Sequence, residues 1–169
     1  MSTVHLHLLL NHVPVIGTII GVCLLAWALF RKDPGVARAT LGLFAVLAVV
    51  ALATFLTGEP AEEAVEGLAG VTEGSIELHE EAALLATIAL GVLGTLSLGT
   101  LVWLRRRPLT RRMMALMLVV ALVPAAAMAW TANLGGQIRH SELRAGTPAA
   151  DPDLQLAGEA EEETEEEER

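Results

Sequence analysis

AALLATIALGVLGTLSLGTLVWL, from Ala82 to Leu104, runs for 23 residues without a charge, and RRRPLTRR, from Arg105 to Arg112, follows at once. A helix rises 1.5 Å per residue, so about 20 apolar residues cross the ~30 Å of hydrocarbon in a bilayer. Backbone amides in lipid must be paired within the segment, which favours a helix for such a run. A barrel strand would be about half as long and would alternate in polarity. The stretch predicts a membrane-crossing helix that ends on a dense basic cluster.

Three further runs have the same character: Val13 to Phe30, Ala39 to Leu56 and Met113 to Ala132, all uncharged. The expected fold is all-α, a bundle of four transmembrane helices. Basic residues orient it, because short loops rich in Lys and Arg stay in the cytoplasm. Arg31, Lys32 and Arg38 lie in the first connection, and Arg105, Arg106, Arg107, Arg111 and Arg112 in the third. The second connection, Thr57 to Glu81, carries no Lys or Arg and is rich in Glu. Both termini and the acidic connection are therefore expected outside, in the periplasm of a bacterium whose inner membrane holds the chain. No basic segment precedes the first apolar run, so that run is expected to stay as a span and not to act as a cleaved leader. Trp27, Trp103 and Trp130 fall near span ends, where indole rings anchor at the membrane interface.

Hydrophobic residues make up 53% of the chain and Tyr is absent, which fits a membrane domain better than a soluble one. The net charge of -9 comes mostly from the block Glu159 to Glu168. Residues 1–144 form the expected membrane domain, and 145–169 an acidic tail expected to be disordered. The single cysteine, Cys23, cannot form an intrachain disulfide, and no C-x-x-C-H is present for covalent haem attachment. Cys23 is expected to pack as a small apolar side chain.

Between spans two and three, Ala61, Ala64, Val65 and Leu68 follow Pro60 at helical spacing, with Glu62, Glu63 and Glu66 taking much of the opposite face. This predicts a short amphipathic helix on the membrane surface. Ser75 is expected to cap the third span, with Glu77, Glu80 and Glu81 near its positive end. Gly17 and Gly21 suit close helix approach. Asn133-Leu134-Gly135-Gly136 is expected to break or bend the fourth helix.

The five histidines carry the candidate chemistry. His12 opens span one, His79 precedes span three and His140 follows span four, all on the acidic side. These three are the expected cofactor ligands. His5 and His7, with Glu62, Glu63, Glu80 and Glu142, complete a candidate metal set, and Glu77 lies nearby. Imidazole with carboxylate suits iron, copper, zinc or manganese, and a pair of imidazoles suits a b-type haem. Facing helices of bundles commonly build such sites. Asn11 and Asn133 are candidates to orient ligands, and Arg139 to pair with Glu62, Glu63 or Glu80. Against any cofactor stands the ordinary fate of such residues, since histidines at helix ends often hydrogen-bond headgroup water. No Gly-x-Ser-x-Gly, His-Glu-x-x-His or phosphate-binding glycine loop occurs, so no catalytic motif is found. No ionisable residue lies mid-span, which argues against a proton or ion transporter.

Three pieces, HLHLLLNHVP (His5–Pro14), TGEPAEE (Thr57–Glu63) and ANLGGQIRH (Ala132–His140), resemble a family of uncharacterised bacterial four-helix membrane proteins. The resemblance implies the same fold, singles out His12 and His140, and implies company with larger membrane electron-transfer assemblies. Two functions follow as expectations. One is a membrane protein that binds a metal or haem for electron transfer. The other is a non-catalytic accessory subunit of a respiratory or photosynthetic complex. The lipid bilayer is the expected partner in both, and the acidic tail would attract a basic soluble cytochrome by long-range steering.

Overall fold

The computed structural model describes residues 3–63 and 71–140. They form six helices: α1 Thr3–Leu10, α2 His12–Arg31, α3 Pro34–Leu56, α4 Glu59–Glu63, α5 Glu73–Trp103 and α6 Arg111–Arg139. No strand occurs among them. Four helical segments are long and apolar enough to cross a membrane, α1 and α2 counting as one. Each expected apolar run lies within one of them to a residue, with helical hydrogen bonding carried beyond the hydropathy edges. The 31 residues of α5 extend about 46 Å, longer than the hydrocarbon they would cross, so its Glu-rich first turns stand clear of the apolar stretch.

α1 and α2 are one helix in all but a hitch. Asn11 keeps right-handed helical angles, and its N–H bonds His7 O at 2.9 Å. The α2–α3 turn is tight: Lys32 adopts a left-handed conformation (φ 57°), returning its N–H to Ala28 O. Asp33 then caps α3 by accepting from Gly35 N and Val36 N, with Pro34 in the first turn. A left-handed residue followed by an Asp cap and Pro is an efficient stop and restart.

α3 packs on α2 and α5, and α6 on α5 and α2, so the four long helices close a ring. The inward stripe of α2 runs Pro14, Thr18, Gly21, Leu25, Ala28, and that of α6 Met114, Met117, Ala121, Pro124, Met128, Thr131. Their alternating steps of three and four residues are the seam of a left-handed bundle. Helix association in lipid depends on close packing more than on water exclusion. Gly21 accordingly lies against the Phe44 ring, which is fully buried, and Gly17 against Leu47. The outer faces are apolar, with Phe30, Val49, Leu85 and Val123 exposed, as lipid contact requires. Cys23 is exposed on such a face, not packed inside. Buried Thr18, Thr40, Thr54 and Thr131 each return their hydroxyl to the carbonyl four residues back, whereas the buried Ser97 hydroxyl has no hydrogen-bond partner among the described residues.

Two local expectations are corrected. Ser75 does not cap α5: the helix starts at Glu73 after Thr72, and Ser75 Oγ donates to Thr72 O within its first turn. Asn133 to Gly136 does not break α6, which runs on to Arg139. Gly135 serves packing instead of a turn, and Gln137 Nε2 donates to Asn133 Oδ1 at 2.6 Å across that segment. A short helix between the second and third long helices is present as α4, with Pro60 in its first turn. Its predicted continuation through Leu68 and the tail beyond His140 lie outside the described residues.

Candidate functional site

The inward stripes of the long helices continue above the apolar core at the acidic end of the bundle. Towards the amino terminus from Pro14, the near-continuous α1–α2 brings Asn11 and then His7 onto the stripe, both half-buried. On α5 the buried positions Ala86, Ala82 and Ile76 bracket His79, also half-buried. The helical period thus aims His7 and His79 inward at the same end.

Their hydrogen bonds are alike. His7 Nδ1 lies 3.1 Å from Thr54 O near the end of α3, and His79 Nδ1 lies 3.1 Å from Thr131 O on α6. A carbonyl only accepts, so each Nδ1 carries the proton and donates. In the neutral form of such a ring, Nε2 is then left with its lone pair. His7 Nδ1 has a longer second contact, 3.4 Å to Thr57 Oγ1. Each ring also lies over a glycine. A Cβ at position 58 would lie 3.7 Å from His7 Cε1, and one at 135 only 2.9 Å from His79 Cε1. The arrangement is repeated in the two halves of the chain: a histidine ahead of the apolar run of a hairpin's first long helix bonds a buried threonine's carbonyl on the second.

The charge of His7 reaches the His79 ring. His79 stands before the apolar stretch that begins at Ala82, and its pKa is lowered from the ordinary value, first by burial. Charge on His7 lowers it further, while the bond to Thr131 and the carboxylate of Glu80 oppose the shift. The neutral ring with a free Nε2 is therefore the favoured form. One turn from His7, Asn11 Oδ1 is buried and has no hydrogen-bond partner among the described residues.

The other predicted ligands lie differently. His5, His12 and His140 are exposed, as are Glu77 and Glu80, and Glu62 is partly exposed. Glu63 belongs to α4, and Glu142 lies outside the described residues. Among the described residues, no three His, Cys, Asp or Glu are grouped so as to hold a metal ion. The set His12, His79 and His140 is not assembled; the pair that faces inward is His7 and His79. Sidedness alone could not separate the five histidines. The signal that could is the stripe spacing His7, Asn11, Pro14, Thr18, which places His7 on the packed face and His12 off it. Thr54, Thr131 and Gly135 were not legible as parts of the site, because their roles depend on a backbone carbonyl and on a missing Cβ.

No family model matches the chain, and no match is found among curated proteins or solved structures.

Proposed function

We propose that this chain is a multi-pass protein of a bacterial inner membrane whose periplasmic end offers the His7–His79 imidazole pair to a transition metal or haem iron for electron transfer. The observation that supports this most directly is the bonding of both Nδ1 atoms to main-chain carbonyls. Metal-bound histidines almost always donate their other ring nitrogen to a carbonyl or carboxylate, which fixes the tautomer and aims the ligand. His7 and His79 would be the protein ligands of a b-type haem, which would need no third protein donor. A mononuclear copper or iron would need further donors, for which Asn11 Oδ1 is the nearest candidate along the helix. The orphaned Asn11 oxygen could accept a hydrogen bond from such a group or coordinate its metal. Metal or haem would supply the redox chemistry. The chain's own part is to hold the two rings in one tautomer and keep them partly from water.

One observation favours a second reading, an accessory subunit without a cofactor. Each histidine bridges the two helices of its own hairpin, which makes it a sufficient structural pin by itself. The two are separated by purifying the protein in mild detergent and recording oxidised and reduced visible spectra with metal analysis. The cofactor reading expects a Soret band or a stoichiometric metal, lost in His7→Ala and in His79→Ala and kept in His12→Ala and His140→Ala. A colourless, metal-free protein that co-purifies with a larger membrane complex sinks it and leaves the accessory role.

A further inference from the structure

The opposite end of the bundle is built around arginine. Leu104 and Leu109 are buried and anchor the α5–α6 connection at both ends. Arg38 of α3 crosses to it, donating from Nη2 to Leu104 O at 2.7 Å and also to Arg107 O. The two turns thus border a shallow, wide-open cleft lined by Pro34, Arg38, Arg105, Arg106, Arg107 and Pro108 among others. Arg38 is held by carbonyls, whereas Arg105, Arg106 and Arg107 are exposed.

Nothing in the described part of this end neutralises the charge. Arg31, Lys32, Arg111 and Arg112 flank the cleft in sequence, giving eight cations in the two turns against one carboxylate, Asp33. Asp33 Oδ1 is already taken by two N–H groups of α3. Arg111 and Arg112 open α6, where the helix dipole disfavours cations. Like charges gathered on an anchored loop repel one another, so an anion that joins them is favoured.

The level of the cleft says which anion. Trp103 is 70% exposed and Trp27 50% exposed, one on each helix that leads into these turns. Exposed indoles at span ends sit at the headgroup layer. The arginines that follow Trp103 by two to four residues then stand at the depth of lipid phosphates, which guanidinium groups bind through paired N–H donors. Phe30 and Val102, both exposed, continue an apolar surface from the same helix ends into the bilayer.

We propose that this cleft is a binding site for the phosphate headgroup of an anionic phospholipid, such as a phosphatidylglycerol. Arg105, Arg106 and Arg107 meet the phosphate, and Arg38 fixes the loop that carries them. The proposal rests on the membrane-spanning reading and is independent of any cofactor at the other end. A phosphate could equally come from solution, so the test separates the two sources.

Full-length protein, stripped of lipid in a neutral detergent, is titrated with phosphatidylglycerol, with phosphatidylcholine and with inorganic phosphate. Bound lipid is counted by native mass spectrometry and heat resistance is read in parallel. Saturable phosphatidylglycerol binding that weakens with salt is expected, with little binding of phosphatidylcholine and no comparable effect of phosphate. Arg106→Gln with Arg107→Gln is expected to weaken it about 30-fold, at roughly fivefold per charge near a membrane surface. Arg111→Gln with Arg112→Gln, outside the cleft lining, is expected to weaken it less. If the glutamine pair does not fold, Arg106→Lys with Arg107→Lys keeps charge but loses the paired donors, and a weaker yet clear loss is expected. Equal binding of both lipids, equal loss in the two double variants, unchanged affinity in the lysine pair, or phosphate binding as tight as lipid overturns the proposal.

Discussion

His79 rests its imidazole on Gly135, so closely that a Cβ on Gly135 would come within 2.9 Å of the ring. The contact explains why a glycine stands inside an unbroken helix at this position. Gly135→Ala forces the ring to move and is expected to break the Nδ1 bond to Thr131 O. The change in stability should nevertheless be small. Ala in a helix interior gains about 1 kcal/mol over Gly, and the lost hydrogen bond costs about 0.5–1.5 kcal/mol. Gly136→Ala, with nothing within 4 Å, is expected to keep the bond and to stabilise slightly. Imidazole nitrogen NMR in detergent distinguishes the two, and an unchanged His79 Nδ1 signal in Gly135→Ala would sink this account of the contact.

His7 and His79 should report on each other. Charge on His7 is one cause that lowers the His79 pKa, and Glu80 one that raises it. His7→Ala is therefore expected to raise the titration midpoint of His79, and Glu80→Gln to lower it. An NMR titration of the His79 ring tests both signs. No response to His7→Ala would mean that the two rings do not share a site.

The lowered pKa also makes the acidic end sensitive to acid. The ordinary histidine value is about 6.5, and folding holds His79 below its own. Between the two, the unfolded chain binds more protons, so stability rises with pH there. The contribution is whole above about pH 6.5. It is lost progressively as pH falls toward the folded value and is gone below it. Heat resistance measured from pH 8 downward is expected to decline across that window, and His79→Gln to flatten the decline. A wild-type profile that stays flat through the window would contradict the burial of this ring.

Much of the architecture is legible in the sequence, for a physical reason. Uncharged runs of membrane length admit one backbone solution, so Val13–Phe30, Ala39–Leu56, Ala82–Leu104 and Met113–Ala132 each fall, to a residue, in a single long helical segment. Helix ends are less legible, because hydrogen bonding does not stop where hydropathy does: α5 begins at Glu73, well before its apolar stretch. The site is legible only in part. His79 stands out by position, but His7 and His12 look equivalent until the helical face is traced. Gly135 looks like a breaker in sequence and acts as a seat for a ring in space.

Close approach of α2 and α3 depends on Gly21. A Cβ there would collide with the buried ring of Phe44, and at Gly17 one would come 2.5 Å from Leu47 Cδ2. Overpacking of this kind costs typically about 1–3 kcal/mol. Gly21→Val is expected to destabilise by that order, since Phe44 is fully buried and cannot turn away freely. Gly42→Ala and Gly91→Ala, which meet nothing within 4 Å, are expected to be harmless. Reversible unfolding in mixed micelles would rank them, and a harmless Gly21→Val would mean that this pair of helices is not held by the glycine seam.

Lys32 is the one non-glycine residue with positive φ among the described residues, at 57°. It ends α2 in the left-handed conformation that glycine adopts without a clash between Cβ and carbonyl. A side chain in that region costs roughly 1–2 kcal/mol, partly offset because glycine loses more freedom on folding. Lys32→Gly is thus expected to stabilise the α2–α3 turn by about 1 kcal/mol or less. Lys32→Val should do the reverse and by more, because a β-branched residue fits this region worst. Both variants remove the same charge, so any difference between them is conformational. If the two proteins unfolded at the same denaturant concentration, the turn would have to tolerate either backbone, and the tight stop and restart at Lys32 and Asp33 would not be what fixes the α2–α3 hairpin.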